Sequence, residues 1–220
     1  METQFSMAPP WPGNDVGHTL AVQVIVLAGP AGQPGAPEGP RETLGAVLAA
    51  PVARRVLAAA PVSVFGAAPS PAAAARPGFD LIGQRAGDLG ERMAGALADA
   101  YAAVPLPMLL LRADTLAVTP DMLAEAARAL VSGEADAAFG PAADGGFWLI
   151  GLHRPDRSLL AGLPPEGAGH GGAGQRAAGR VLRGRLDAAG LRVALAPRLE
   201  SGAGAGAGQA TGPVTVTRVP

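Results

Sequence analysis

The chain contains no cysteine and no lysine. Without cysteine there is no disulfide framework, no thiolate metal site and no cysteine nucleophile. Its basic residues are all arginine, and 17 of them against 18 acids leave a net charge of −1. Nucleic-acid binders present a basic stripe that neutralises phosphates. Only short arginine pairs such as Arg54 and Arg55 occur here, which suit a solvated helix face, so no nucleic-acid partner is expected. Aromatic residues make up 4%. The core must therefore come mainly from Ala, Val and Leu, whose small side chains bury less area each. Long apolar runs are missing too. The run over 20–28 falls far short of the ~18 residues that cross a bilayer. Residues 1–19 lack a basic start, so neither a signal peptide nor a membrane span is expected, and the cytoplasm is the expected compartment.

Glycine and proline are plentiful, at 32 and 22 residues, which is near the share at which a non-periodic chain begins to look disordered. Against this stand 49% hydrophobic residues and a mean hydropathy of +0.26, enough for a real core. The Gly and Pro residues also cluster, mainly in 1–19, 29–40, 67–78, 162–174 and the end of the chain. The resulting expectation is a disordered leader over 1–19, one domain over 20–198 and a flexible Gly/Ala-rich tail over 199–220.

Within the domain, strands and helices alternate. The β-branched run 21–27 predicts a strand ending at Gly29 and Pro30. Leu44, Val47, Leu48, Val52, Val56 and Leu57 are spaced for one face of a helix, with Pro51 kinking it. Strands are expected over 61–66 and 79–83. Asp88 followed by Glu91 reads as a capping box, and Leu89, Met93, Leu97 and Tyr101 form an apolar stripe, predicting a helix over 88–103. The run 107–111 reads as a buried strand. Thr119 and Pro120 open a further helix that Gly133 stops. Strands follow over 135–139 and 147–152, a loop over 154–174, a helix over 177–189 and a strand over 191–196. Such alternation predicts a single α/β domain with a mostly parallel sheet.

Ligands of such sheets bind beyond the carboxyl ends of the strands. Four segments qualify. In 29–40, Gly29, Gly32 and Gly35 let a backbone approach a phosphate, but no Gly-Lys-Ser/Thr follows and the spacing misses the dinucleotide fingerprint. Arg41 is the one cation there that could meet a phosphate. The decapeptide 84–93 joins a strand end, two glycines and a capped helix start to Arg85 and Arg92. Asp114 follows a strand with no other polar residue before Arg112, as a turn residue or as a Mg²⁺ or Mn²⁺ ligand. Asp144 precedes Gly145 and Gly146, as a turn residue or as a carboxylate offered to a sugar hydroxyl or acting as a base. His18, His153 and His170 show no metal-ligand spacing, and no serine has nucleophile-elbow context. Glu166 is a remote second candidate base.

The motifs Gly87-Asp-Leu-Gly-Glu-Arg-Met93, Leu111-Arg-Ala-Asp114 with Thr119 and Pro120, and Gly140-Pro-Ala-Ala-Asp-Gly-Gly-Phe-Trp-Leu-Ile-Gly-Leu152 resemble a bacterial glycosyltransferase-A-like family. That family includes candidate arsenosugar-biosynthesis glycosyltransferases and is related to molybdenum-cofactor and phospholactate nucleotidyltransferases. The match covers 84–152 and extends more weakly from about Val22 to Ala196. The resemblance implies a three-layer nucleotide-diphospho-sugar transferase fold, with Mg²⁺ or Mn²⁺ bridging the donor diphosphate. Carried over by position, Asp114 is the metal ligand. Arg41, Gly87, Asp88, Gly90 and Arg92 lie on the nucleotide side. Asp144, as catalytic carboxylate, shapes the sugar or acceptor pocket with Gly145 and Gly146. The partners implied are a nucleotide-sugar donor and an acceptor the motifs do not name; nor do they set an oligomeric state.

The chain departs from the family pattern in several places. The Lys-rich first-loop signature is replaced by 29–40 followed by Arg41-Glu-Thr-Leu44, the Asp-Ser/Thr-Pro turn becomes Asp114-Thr-Leu116, and the late Trp-Ser-Thr and Asp-Val-Asp-Thr segments have no counterpart. A glycosyltransferase is thus the first expectation. The alternatives are a nucleotidyltransferase of the same fold, or a family member that has lost turnover and serves as a binding or assembly protein.

Overall fold

A computed structural model describes residues 22–27, 53–59, 79–80, 87–112, 118–164, 173–199 and 215–217. The expected leader 1–19, the first loop with Arg41, the strand over 61–66, Arg85, Asp114, Glu166 and His170 lie outside the described residues.

The most apolar segments build the centre of one sheet. Strands β1 (Val22–Leu27) and β4 (Met108–Arg112) pair in parallel, with Val24 opposite Leu109 and Leu27 opposite Arg112. Both are buried throughout, which is why their sequences run apolar without alternation. On one side of β1 follow β2 (Ala53–Ala59) and β3 (Phe79–Asp80), both parallel. On the far side of β4 come β6 (Phe147–Leu152), β5 (Ala137–Pro141), β7 (Val193–Leu195) and β8 (Thr215–Thr217), giving the order β3-β2-β1-β4-β6-β5-β7-β8. β6 is antiparallel to β4 and β5, and β8 to β7; the other six strands run one way, the mostly parallel sheet that the alternation predicts.

Helices α1 (Leu89–Ala103), α2 (Pro120–Val131), α3 (Arg157–Leu160) and α4 (Ala173–Ala188) divide between the two faces. On one face Met122, Leu123, Ala126 and Leu130 of α2 pack on Val24, Val26, Leu109, Leu111 and Trp148. On the other, Leu89, Met93 and Leu97 of α1, Leu159 and Leu160 of α3, and Ala178, Leu182 and Leu186 of α4 cover Ile25, Leu110, Phe139, Phe147 and Ile150. The result is a three-layer α/β/α sandwich. Trp148 and Phe147, on opposite faces, are fully buried and supply bulk that an alanine-rich core otherwise lacks.

Two differences from expectation have local causes. Residues 53–59, spaced as the end of a helix, form β2, because the register against β1 from Ala53 to Ala59 supplies backbone pairing that helix spacing does not foresee. The sheet also extends into the segment expected to be a tail. Leu199 is buried and bridges to Ala142, and β8, in a run alternating Thr and Val, adds an antiparallel edge. Smaller shifts are the short helix α3 within the expected loop 154–174 and an earlier start to α4.

Candidate functional site

Six strands running one way place the ends Leu27, Ala59, Asp80, Arg112, Pro141 and Leu195 on one carboxyl edge, where β6 begins at Phe147. Helix α1 starts at this edge and runs back across the sheet. Its far end is fixed at the amino edge by Gln23, whose Nε2 donates to the carbonyls of Ala100, at 3.0 Å, and Val104. The two motif segments 87–92 and 144–146 are therefore brought to the same edge, although more than fifty positions separate them in the chain.

At the head of α1 the expected capping box forms. Asp88 Oδ1 accepts from the Glu91 N–H at 2.8 Å, and Glu91 Oε2 accepts from the Asp88 N–H at 3.1 Å. Gly87 has φ 135°, and a Cβ there would lie 2.2 Å from Glu91 Oε2, so the turn into the helix requires glycine. Gly90 has a packing cause: its Cβ would lie 1.9 Å from the Leu160 carbonyl oxygen, so its bare Cα lets α1 approach α3. Asp88 and Gly90, expected on the nucleotide side, serve as a helix cap and a helix contact at the head of α1. Arg92 stands on the sheet-facing stripe of α1 with 8% of its surface exposed.

The second segment is a tight turn. The Gly145 N–H donates to the Ala142 carbonyl at 3.0 Å, and the Ala142 N–H to that of Gly146 at 3.1 Å. Asp144 Oδ1 accepts from the Gly146 N–H at 2.8 Å, an Asx arrangement that holds the carboxylate in one orientation. Gly145 has φ 86°. The turn is strapped from the 196–199 segment. Ala143 N–H donates to Leu199 O at 2.7 Å, Arg198 Nη2 to Ala143 O at 2.6 Å, and Trp148 Nε1 to Pro197 O at 2.9 Å. From the other side α4 closes on it: a Cβ on Gly179 would lie 2.5 Å from Gly145 O and 2.6 Å from Gly146 C, and one on Gly145 would lie 3.0 Å from Arg176 Cγ.

Sequence reasoning passed over Gly179, whose role comes wholly from a helix meeting a turn, and placed Arg112 in a candidate turn and motif without giving it a role of its own. The signal for Arg112 was present, since it is the first polar residue after the run 108–111. It is 7% exposed and its guanidinium carbon lies 6.0 Å from the centre of the Phe147 ring, within cation–π range. The described residues contain no cluster of three or more His, Asp or Glu side chains able to hold a metal. They do not by themselves form a metal centre, and the expected ligand Asp114 is outside them.

Among the described residues, the carboxylates with shifted acidity sit elsewhere. Asp136, at the amino edge, is held down to about 2 mainly by hydrogen bonds from the Arg192 side chain and then its backbone N–H. Asp156 is lowered by the Ser158 hydroxyl. These are a strand clasp and a helix cap, not site groups.

The profile of a family described as an uncharacterised protein conserved in bacteria (DUF2064) matches residues 43–165, more than half of the chain. The chain belongs to this family. For this DUF2064 protein no curated protein matches in sequence. Its fold is shared with solved structures. A candidate nucleotide-diphospho-sugar transferase from Desulfovibrio desulfuricans G20 is 20% identical, with a TM-score of 0.62 over 84% of this chain and 82% of that one. A CMP:2-keto-3-deoxy-manno-octonic acid synthetase complexed with CTP is 14% identical, with a TM-score of 0.51 over 82% and 91%. A 4-diphosphocytidyl-2C-methyl-D-erythritol synthase is 12% identical, with a TM-score of 0.51 over 83% and 90%. The fold of this chain is thus similar to those of a candidate nucleotide-diphospho-sugar transferase and two nucleotide-related synthases. Among the described residues no helix is long and apolar enough to cross a membrane.

Proposed function

We propose that this DUF2064 protein is a glycosyltransferase that takes a sugar from a nucleotide-activated donor and delivers it to a hydroxyl-bearing acceptor. The observation that carries this reading is that segments 87–92 and 144–146 lie at the same carboxyl edge of the sheet, the edge at which folds of this kind bind ligands. In the transfer, the bond from the sugar's anomeric carbon to the diphosphate oxygen breaks and a bond from that carbon to the acceptor oxygen forms. The nucleoside diphosphate leaves, and the acceptor proton passes to a base. Arg92, beside the head of α1, supplies positive charge on the nucleotide side, and Gly87 lets the backbone turn into the helix there. Asp144 is the base or sugar-hydroxyl acceptor. The Gly146 N–H fixes its orientation.

Asp114 is the proposed ligand of a Mg²⁺ or Mn²⁺ ion, and Arg41 a further phosphate contact. The metal's contribution is to offset charge on the departing diphosphate. Resemblance to candidate arsenosugar-biosynthesis glycosyltransferases favours transfer of the sugar. Likeness in fold to two enzymes named for cytidylyl chemistry supports the second reading, nucleotidyl transfer at the same edge.

Calorimetric titration with UDP- and GDP-sugars, with and without Mn²⁺ and repeated on Asp114→Ala, tests the proposal. Metal-dependent binding that this substitution abolishes is the expected result, and a folded protein that binds no nucleotide overturns it. Pyrophosphate release from CTP or GTP selects the second reading.

A further inference from the structure

Arg112 belongs to the motif Leu111-Arg-Ala-Asp114 but has no role in the reading above. It closes β4, the central strand, beside Leu27 at the end of β1, and is 7% exposed with its guanidinium over Phe147. It lies two residues beyond Leu110 and so shares that residue's sheet face. Arg92 lies three residues beyond Leu89 and so shares that residue's helix face. Leu110, Leu89 and Phe147 all belong to one apolar layer. Two largely buried guanidinium groups, from the start of α1 and the end of β4, therefore occupy one face of the sheet at its carboxyl edge. Neither can discharge itself, and a low-dielectric rim strengthens the field of fixed charges. By contrast, residues 28–40 after β1 contain no basic residue. The end of β4 and the start of α1 each bring an arginine beside the central strands.

We propose that Arg112, with Arg92, binds the diphosphate of the nucleotide donor, and that the Phe147 ring, 6.0 Å from the Arg112 guanidinium carbon, helps hold it in place. This rests on the transferase reading. A fork of two parallel N–H donors suits phosphate oxygens, so the site takes a nucleoside diphosphate in preference to the monophosphate.

The test is calorimetric titration of the full chain, in Mg²⁺ buffer, with UDP, GDP and CDP and the matching monophosphates. Arg112→Gln and Arg112→Lys are compared with wild type, and thermal melts establish folding. Wild type is expected to prefer the diphosphate. Arg112→Gln is expected to weaken diphosphate binding by about ten- to a hundredfold, the worth of a hydrogen bond to a charged group, while changing monophosphate binding less than about threefold. If that variant does not fold, Arg112→Lys decides: it keeps the charge, loses the fork, and is expected to bind the diphosphate about three- to tenfold more weakly. Diphosphate binding unchanged in the folded variant overturns the role of Arg112 and leaves the transferase reading standing. A folded wild-type protein that binds none of these nucleotides overturns that reading itself.

Discussion

At the amino edge of the sheet Asp136 and Arg192 meet at 2.8 Å across the starts of β5 and β7, with a second side-chain bond and the Arg192 N–H, both at 2.9 Å, on the other carboxylate oxygen. Nearby, Gln23 ties β1 to the last turn of α1. At the carboxyl edge Asp144 is turned onto a backbone N–H, glycines stand where Cβ atoms would collide, and two arginines are held in the interior. The amino edge spends its polar groups on one another and on helix ends. The carboxyl edge fixes the Asp144 turn from two sides, by the 196–199 segment and by α4, and holds Arg92 and Arg112 in the interior. An edge built to hold strands together and an edge built to hold groups in position differ in what their substitutions should disturb: stability alone at the first, binding as well at the second.

Gly179→Val should have the largest effect. Its side chain would meet the backbone of Gly145 and Gly146, which cannot swing aside as a flexible side chain can. A loss of about 2–4 kcal/mol in denaturant unfolding is expected, together with loss of nucleotide binding by calorimetry. Full binding in this variant would dissolve the contrast between the edges.

Gln23→Leu comes next. It removes two bonds from Nε2 to carbonyls at the end of α1, but also an Oε1 that is buried with no hydrogen-bond partner. The two effects oppose each other, so a net loss of about 1–2 kcal/mol is expected, with nucleotide affinity unchanged. A change in affinity would show that the edges are coupled through β1.

Trp148→Phe keeps most of the buried ring and deletes the 2.9 Å bond to the Pro197 carbonyl. About 1 kcal/mol should be lost. Faster amide exchange at Ala143 and Leu199, relative to the strand centres, would show that the strap over the Asp144 turn has loosened.

Asp136→Asn should have the smallest effect, because the pair is more than a third exposed and solvent screens it. Its sign is definite. The folded-state pKa of Asp136 is lowered from 3.8 to about 2, so the wild-type advantage is full above pH 4 and fades as pH falls toward 2. Melting temperatures across that range should converge at the acid end. An advantage that grew on acidification would contradict the clasp.

Much of this was legible without coordinates. The capping box at Asp88 and Glu91, the Thr119 and Pro120 start of α2, and the apolar runs read as strands over 21–27 and 107–111 are local signals, and each formed within a residue of where it was read. Residues 53–59 misled because helical spacing in an alanine-rich stretch carries little weight against a neighbouring strand that needs a partner. The packing roles of Gly90 and Gly179 could not be read at all. A glycine in a helix looks like a weak helix former until the helix or turn that presses on it is in place.

By itself, then, the sequence determined the local elements and the α/β alternation, because caps, turns and apolar periodicity act over a few residues. Which motifs meet was left to the tertiary structure. Only the sheet order brought 87–92 and 144–146 to one edge, inserted β6 backwards beside β4, and set Arg112 over Phe147. Those are contacts between distant segments, decided by how buried strands pair and how closely helices can approach them.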